Sequence, residues 1–83
     1  MALGYLLIVT KEDQESSVAE NIVESPLIDN IHSTHGEYNL IAKVKTNNMI
    51  ELQDFIKEVS KIEGIVRLTA LIAKDLTKES NLK

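Results

Sequence analysis

The stretch LGYLLIVT, residues 3–10, decides the architecture of this chain, because it is apolar at both its odd and its even positions. Side chains of a β-strand alternate between two faces, so a strand that is apolar throughout is typical of burial on both sides. Tyr5, Leu7 and Val9 would then face one layer, and Leu6 and Ile8 the other. We therefore predict a strand over Leu3–Thr10 that has apolar partners on both faces.

The segment after this strand has helical spacing. One face would carry four apolar residues, Val18, Ala19, Ile22 and Val23. We place this helix at Gln14–Glu24, with Asp13 as its N-cap. Pro26 ends it, because proline disfavours helical backbone in the residue before it.

Two strands and a tight turn follow. We predict a strand over Ile28–Thr34, a turn at Gly36, and a strand over Tyr38–Lys45. Alternation along the latter strand puts one set of residues on its apolar face: Tyr38, Leu40, Ala42 and Val44.

The last third of the chain repeats the pattern of helix, break and strand. Asn48 and Glu51 have the spacing of a capping box. The helical stripe consists of Leu52, Phe55, Ile56, Val59 and Ile62. Gly64 has the position of a C′ glycine, and the final strand would cover Ile65–Ala73. From residue 74 the chain is a polar tail.

The order βαββαβ predicts an α+β, ferredoxin-like domain over residues 1–83. Its four-stranded antiparallel sheet would carry two helices on one face. The other face would then expose the apolar side chains of two strands, which monomers rarely tolerate. We therefore expect a sheet-to-sheet homodimer, resembling a dimeric α/β-barrel, or a larger ring of the same chain.

Composition restricts the function. The 83 residues carry a net charge of −4, only 4% aromatic residues, two histidines and no cysteine. Disulfides and thiolate metal sites are excluded, and direct binding of nucleic acid or a membrane surface is disfavoured. His32 and His35 would face opposite sides of a regular strand, so we expect neither a metal site nor a cofactor. The absence of a long apolar segment and of cysteine favours a cytoplasmic protein.

The segment HGEYNLIAKV, residues 35–44, resembles the turn motif of one family. That family is the RAM, or amino-acid-sensing, domain of the Lrp/AsnC transcription regulators. Glu63, Gly64 and Ile65 are similar to the family's proline–glycine–valine break, and the resemblance spans Leu3–Ala73. It implies dimers and rings that bind a free amino acid near subunit interfaces. Because this chain begins in its first strand, we expect a stand-alone domain without the family's helix-turn-helix, with a full-length regulator as an additional partner.

The resemblance also implies which residues line the ligand site. They are His35, Gly36, Glu37, Tyr38, Asn39, Arg67, Leu68, Thr69 and Ala70. Asn39 and Asn48 stand where the family has acids. Leu68 and Ala70 replace its two threonines, and Thr69 points to the other face.

Several of these residues also have a purely structural interpretation. Gly36 would serve the turn alone, and Tyr38 would pack in the core. Glu37 would be a solvated turn residue, and Arg67 would form an interface salt bridge. Asn39 would be a polar residue in a dimer seam, and Thr69 has the same two interpretations as Arg67.

Two other functions fit the same fold. One is an assembly module that pairs with full-length regulators without a ligand. The other is a small dimeric monooxygenase-type enzyme, because fold alone does not decide function. The sequence contains no nucleophile paired with a base, no carboxylate dyad and no glycine-rich phosphate loop. We therefore predict a non-enzymatic, effector-binding domain.

Overall fold

The computed structural model describes residues 1–73 and confirms the βαββαβ order. Its elements are β1 (Ala2–Thr10), α1 (Glu15–Val23), β2 (Ile28–Ser33), β3 (Leu40–Thr46), α2 (Met49–Ser60) and β4 (Ile65–Ala73). The polar tail that the sequence predicts from residue 74 lies outside the described residues. Neither helix of the described part is long and apolar enough to cross a membrane.

The four strands form one antiparallel sheet in the order β2-β3-β1-β4. The core lies between one face of this sheet and the two helices. It consists of Ala2, Leu6, Ile8, Leu40, Ala42 and Val44 from the sheet and Val18, Ile22, Leu52 and Val59 from the helices. The ferredoxin-like arrangement is therefore confirmed, and β1 lies at its centre between β3 and β4.

Strand β1 has the two apolar faces that the sequence predicts. Its even-numbered residues are buried under the helices, and its odd-numbered residues are half-buried on the opposite face. We call this second face the open face, since neither α1 nor α2 covers it. Its apolar side chains are Leu3, Tyr5, Leu7, Val9, Ile41 and Leu71, which the strand register brings side by side.

The helix starts differ from each other in how they are capped. Asn48 caps α2 as predicted, because its side chain accepts a hydrogen bond from the Glu51 N–H at 2.8 Å. The prediction that Asp13 caps α1 is wrong. Gln14 is the N-cap residue and makes no side-chain cap bond, while Asp13 has a φ of 68°. The Gln14 N–H donates to the Lys11 carbonyl, so Asp13 lies inside a tight turn instead of at the helix end.

Gly64 does not occupy the C′ position of α2, contrary to the sequence prediction. The helix ends at Ser60 with Lys61 as its C-cap, and Gly64 lies in the turn that leads into β4. Its φ is 103°, and an added Cβ would lie 2.7 Å from the Gln14 side-chain oxygen and 2.9 Å from a Val18 methyl carbon. The glycine therefore allows α1 to pack directly on this turn.

Candidate functional site

The residues predicted from the loop and from β4 come together at one end of the sheet. Arg67 and Asn39 flank the last two residues of β1, because Val9 lies opposite Arg67 and Thr10 is hydrogen-bonded to Asn39. The other β4 residues of the predicted site pair with earlier residues of β1. The loop of residues 34–39 joins β2 to β3. Thr34 closes it, with its N–H donating to the Asn39 carbonyl at 2.9 Å.

Gly36 has a backbone conformation that this loop requires and that favours glycine. Its φ is 116°, a region that side chains other than glycine rarely adopt. Apart from Gly36 and its chain neighbours, no atom of residues 1–73 lies within 4 Å of the position that a Cβ would occupy. The glycine is therefore required by the backbone, and the space beside it is open.

The two histidines lie on different elements. His32 is on β2 opposite Ile41, whereas His35 is in the loop, so the expectation of one shared strand is wrong for His35. Strand β2 ends at Ser33 because the chain turns at Thr34, whose hydroxyl donates to the Tyr38 carbonyl. Residues 1–73 contain no group of three or more His, Cys, Asp or Glu side chains that would hold a metal ion.

Asn39 extends the sheet with its side chain. Its Oδ1 accepts a hydrogen bond from the Thr10 N–H at 2.7 Å, and its own N–H donates to the Ile8 carbonyl at 2.8 Å. Strand β3 begins at Leu40, two residues later than predicted, because the side chain of Asn39 takes the place of a backbone acceptor. A backbone N–H can only donate, so the Asn39 oxygen must face Thr10 and the amide nitrogen must face away.

Arg67, Glu37 and Tyr38 form a cluster at the edge of the open face. The Arg67 guanidinium lies 3.6 Å from the Glu37 carboxylate, and its central carbon lies 5.7 Å from the centroid of the Tyr38 ring. The side chains of Arg67 and Glu37 are 54% and 73% exposed, so solvent screens their attraction. The guanidinium remains accessible to a ligand.

Tyr38 does not pack in the core, contrary to the alternation that the sequence suggests. It precedes β3, and the Thr34 hydroxyl donates to its carbonyl at 2.8 Å. This contact holds Tyr38 in the loop, where the strict alternation of a strand no longer applies. Its ring consequently lies under Arg67.

A β-bulge in β4 adjoins the cluster. The register pairs Val9 with Arg67 but Thr10 with Ile65, which leaves Val66 as an extra residue. Bulges bend a strand and redirect neighbouring side chains. Sequence reasoning missed both this bulge and the role of Thr10, since a bulge and a backbone donor depend on pairing between strands.

Strand β4 divides its predicted site residues between two faces. Leu68 and Ala70 pack against the core on the helix side. Thr69 lies opposite Leu7 on the open face, which it shares with Arg67. A ligand at the edge of the open face would therefore meet the side chains of Arg67 and Thr69 but only the backbone of Leu68 and Ala70.

The sequence and the fold agree with one family of regulator domains. Residues 5–82 match the model of the Lrp/AsnC ligand binding domain. The chain belongs to this family. The Lrp/AsnC domain is 33% identical over 78 residues to the HTH-type transcriptional regulator FL11 of Pyrococcus furiosus. That alignment covers 94% of this chain and 52% of FL11, so the chain spans about half the length of the curated relatives it matches.

Solved structures share the fold of this Lrp/AsnC domain. The hypothetical protein PHS023 from Pyrococcus horikoshii is 31% identical with a TM-score of 0.85, over 93% of this chain and 94% of that one. The transcriptional regulator NMB0573 from Neisseria meningitidis, solved as an L-Met complex, has a TM-score of 0.80. It is only 11% identical, over 95% of this chain and 53% of that one, so this likeness concerns the fold alone.

Proposed function

We propose that this Lrp/AsnC domain binds a free amino acid or a similar small metabolite at the end of the sheet formed by residues 35–39 and the start of β4. The proposal depends on one observation. Arg67 and Glu37 present opposite charges 3.6 Å apart, and both side chains are largely exposed. A zwitterion carries the complementary pair of charges at a similar spacing.

The cluster offers a partner for each end of such a ligand. Arg67 would bind the carboxylate through two parallel hydrogen bonds, and Glu37 would accept from the ammonium group. An exposed ion pair contributes little free energy, so a ligand that replaces it loses little. Tyr38 keeps the guanidinium in place, and the open space at Gly36 admits the ligand.

Binding of this kind needs no chemical step, and we propose that the domain is not an enzyme. Its role would be to sense an effector as part of a regulator assembly. The curated relatives are described as transcriptional regulators, which supports this role. The L-Met complex of the Neisseria meningitidis regulator makes methionine one of the first amino acids to test.

We further propose that the domain acts as a homo-oligomer assembled through its open face. Six apolar side chains lie side by side there, and Leu71 is 50% exposed. Apolar patches of this extent are characteristic of interaction surfaces. The Arg67 cluster borders the same face, so a second subunit would lie close to the bound ligand.

The same face favours a second function, an assembly module without a ligand. The apolar side chains of the open face would contact another subunit whether or not an amino acid binds. Leu68 and Ala70 contribute no polar side chain to the site, which agrees with this alternative. Such a module would join a full-length regulator and change the composition of its oligomer.

Calorimetry against the twenty amino acids, with light scattering on the same sample, tests the proposal. Arg67→Gln removes the proposed carboxylate partner. Lys57→Gln, at an exposed position on α2, is the matched control for loss of one positive charge. We expect saturable binding by the wild type and by Lys57→Gln, and affinity at least about tenfold lower for Arg67→Gln.

The alternatives predict different results. An oligomer that binds no amino acid would favour the assembly module. Unchanged affinity in Arg67→Gln would place the ligand elsewhere on the domain.

A further inference from the structure

We infer that the site selects acidic amino acids over basic ones, because Asn39 offers the ligand the N–H donors of its amide, while its oxygen already accepts a hydrogen bond within the fold. This inference rests on the proposed function and adds the chemical class of the effector to it. It follows from the internal hydrogen bond of Asn39 and from the charges beside it.

The hydrogen bond to Thr10 fixes the orientation of the Asn39 amide. An asparagine side chain offers one oxygen that accepts and one nitrogen that donates two hydrogen bonds. The oxygen is engaged by the Thr10 N–H at 2.7 Å. The nitrogen faces away from Thr10 and donates to no other described residue, so a pair of N–H donors is left for a ligand.

The Asn39 donor lies at the same end of β1 as Arg67. Asn39 is bonded to Thr10, and Arg67 lies opposite Val9, so the two side chains flank the same end of β1. Tyr38, the chain neighbour of Asn39, lies under the Arg67 guanidinium. The site therefore combines two donor groups, Arg67 and Asn39, with the negatively charged acceptor Glu37.

Amino acids differ in how well their side chains fit the groups of Arg67, Asn39 and Glu37. Every amino acid satisfies Arg67 with its carboxylate and Glu37 with its ammonium group. The remaining partner is the Asn39 amide, which a second carboxylate would satisfy. The side-chain ammonium of lysine offers only donors, so it would face the Asn39 N–H groups and the Arg67 charge and would have to share Glu37 with the α-ammonium group.

Titration of the wild-type protein with L-glutamate, L-glutamine and L-lysine tests this order. We expect glutamate to bind at least about tenfold more tightly than lysine, since a hydrogen bond to a charged group is among the stronger kind. Glutamine should fall between them, because its side-chain carbonyl accepts without a charge. Glutamate and glutamine have the same length, so size does not explain a difference between these two ligands.

Asn39→Asp replaces the N–H donors of the side chain with an acceptor and leaves the shape of the side chain almost unchanged. One carboxylate oxygen still accepts from Thr10, while the other replaces the outward donor with a charged acceptor. We expect this variant to lose the preference for glutamate and to bind lysine at least about tenfold more tightly than the wild type does. Asn30→Asp is the matched control, since it makes the same isosteric change at an exposed residue of β2, across the sheet from Arg67.

The outcomes separate this inference from the function on which it rests. Binding with lysine equal to or tighter than glutamate would overturn the inference and leave an amino-acid sensor in place. An unchanged ratio in folded Asn39→Asp would also overturn it. Absence of binding for all twenty amino acids would overturn both. If Asn39→Asp fails to fold, the wild-type ratio of glutamate to lysine still decides.

Discussion

The side-chain oxygen of Asn39 lies 2.7 Å from the backbone nitrogen of Thr10, joining two residues that are 29 positions apart in the chain. The register between β1 and β3 ends at Ile8 and Leu40, so this contact is where the loop of residues 34–39 is attached to the sheet. Strand β1 also carries Val9, which lies opposite Arg67. Together with the Asn39 N–H, which donates to the Ile8 carbonyl at 2.8 Å, this hydrogen bond fixes the loop with its Glu37 carboxylate relative to β1, whose Val9 pairs with Arg67 of β4.

Removal of this acceptor should destabilise the fold. Asn39→Ala leaves the part-buried Thr10 N–H without a partner, which costs about 1–3 kcal/mol. Asn39→Asp keeps an acceptor and should stay within about 1 kcal/mol of the wild type. Urea unfolding at a fixed protomer concentration measures both values. Equal stability of the wild type and Asn39→Ala would show that water replaces the Asn39 oxygen without loss.

The two glycines with positive φ should respond differently to alanine. Gly36→Ala introduces only backbone strain, about 1–2 kcal/mol, because open space surrounds the new methyl group. Gly64→Ala adds overlap with Gln14 and Val18 to a similar strain, so its loss of stability should be greater by about 1 kcal/mol or more. Chemical unfolding of the two variants side by side gives the comparison. A greater loss for Gly36→Ala would mean that the loop contacts something beyond the single chain.

A charge in the middle of the open face should prevent assembly. Leu7→Glu places a carboxylate between Ile41 and Thr69, where burial against a second subunit would remove its hydration. Leu7 does not belong to the helix-side core, so the monomer should still fold, as circular dichroism would verify. Ile50→Glu is the control, since Ile50 is 71% exposed on α2.

Light scattering should therefore give a dimer or larger species for the wild type and Ile50→Glu, and a monomer for Leu7→Glu. An unchanged mass for Leu7→Glu would place the contact between subunits on another surface.

The sequence correctly predicted features that depend only on residues close to one another in the chain. The alternation in β1 and the Asn48 cap were both read correctly, because each depends on residues within one strand or one helical turn. The predictions for Asp13 and Gly64 were wrong for a shared reason. The Lys11 N–H donates to the Gly64 carbonyl, so the start of α1 and the turn before β4 determine each other's backbone across the fold.

The sequence by itself determined the order of the elements, the two-faced character of β1 and the presence of a turn at Gly36. Periodic burial imposes these features along the chain, and they need no knowledge of distant contacts. Only the tertiary structure decided what the loop residues do. The Tyr38 ring lies under Arg67 instead of in the core, and the side-chain oxygen of Asn39 accepts a hydrogen bond from the Thr10 N–H. Hydrogen-bond direction and side-chain pairing depend on strand register, which brings together residues that the sequence keeps far apart.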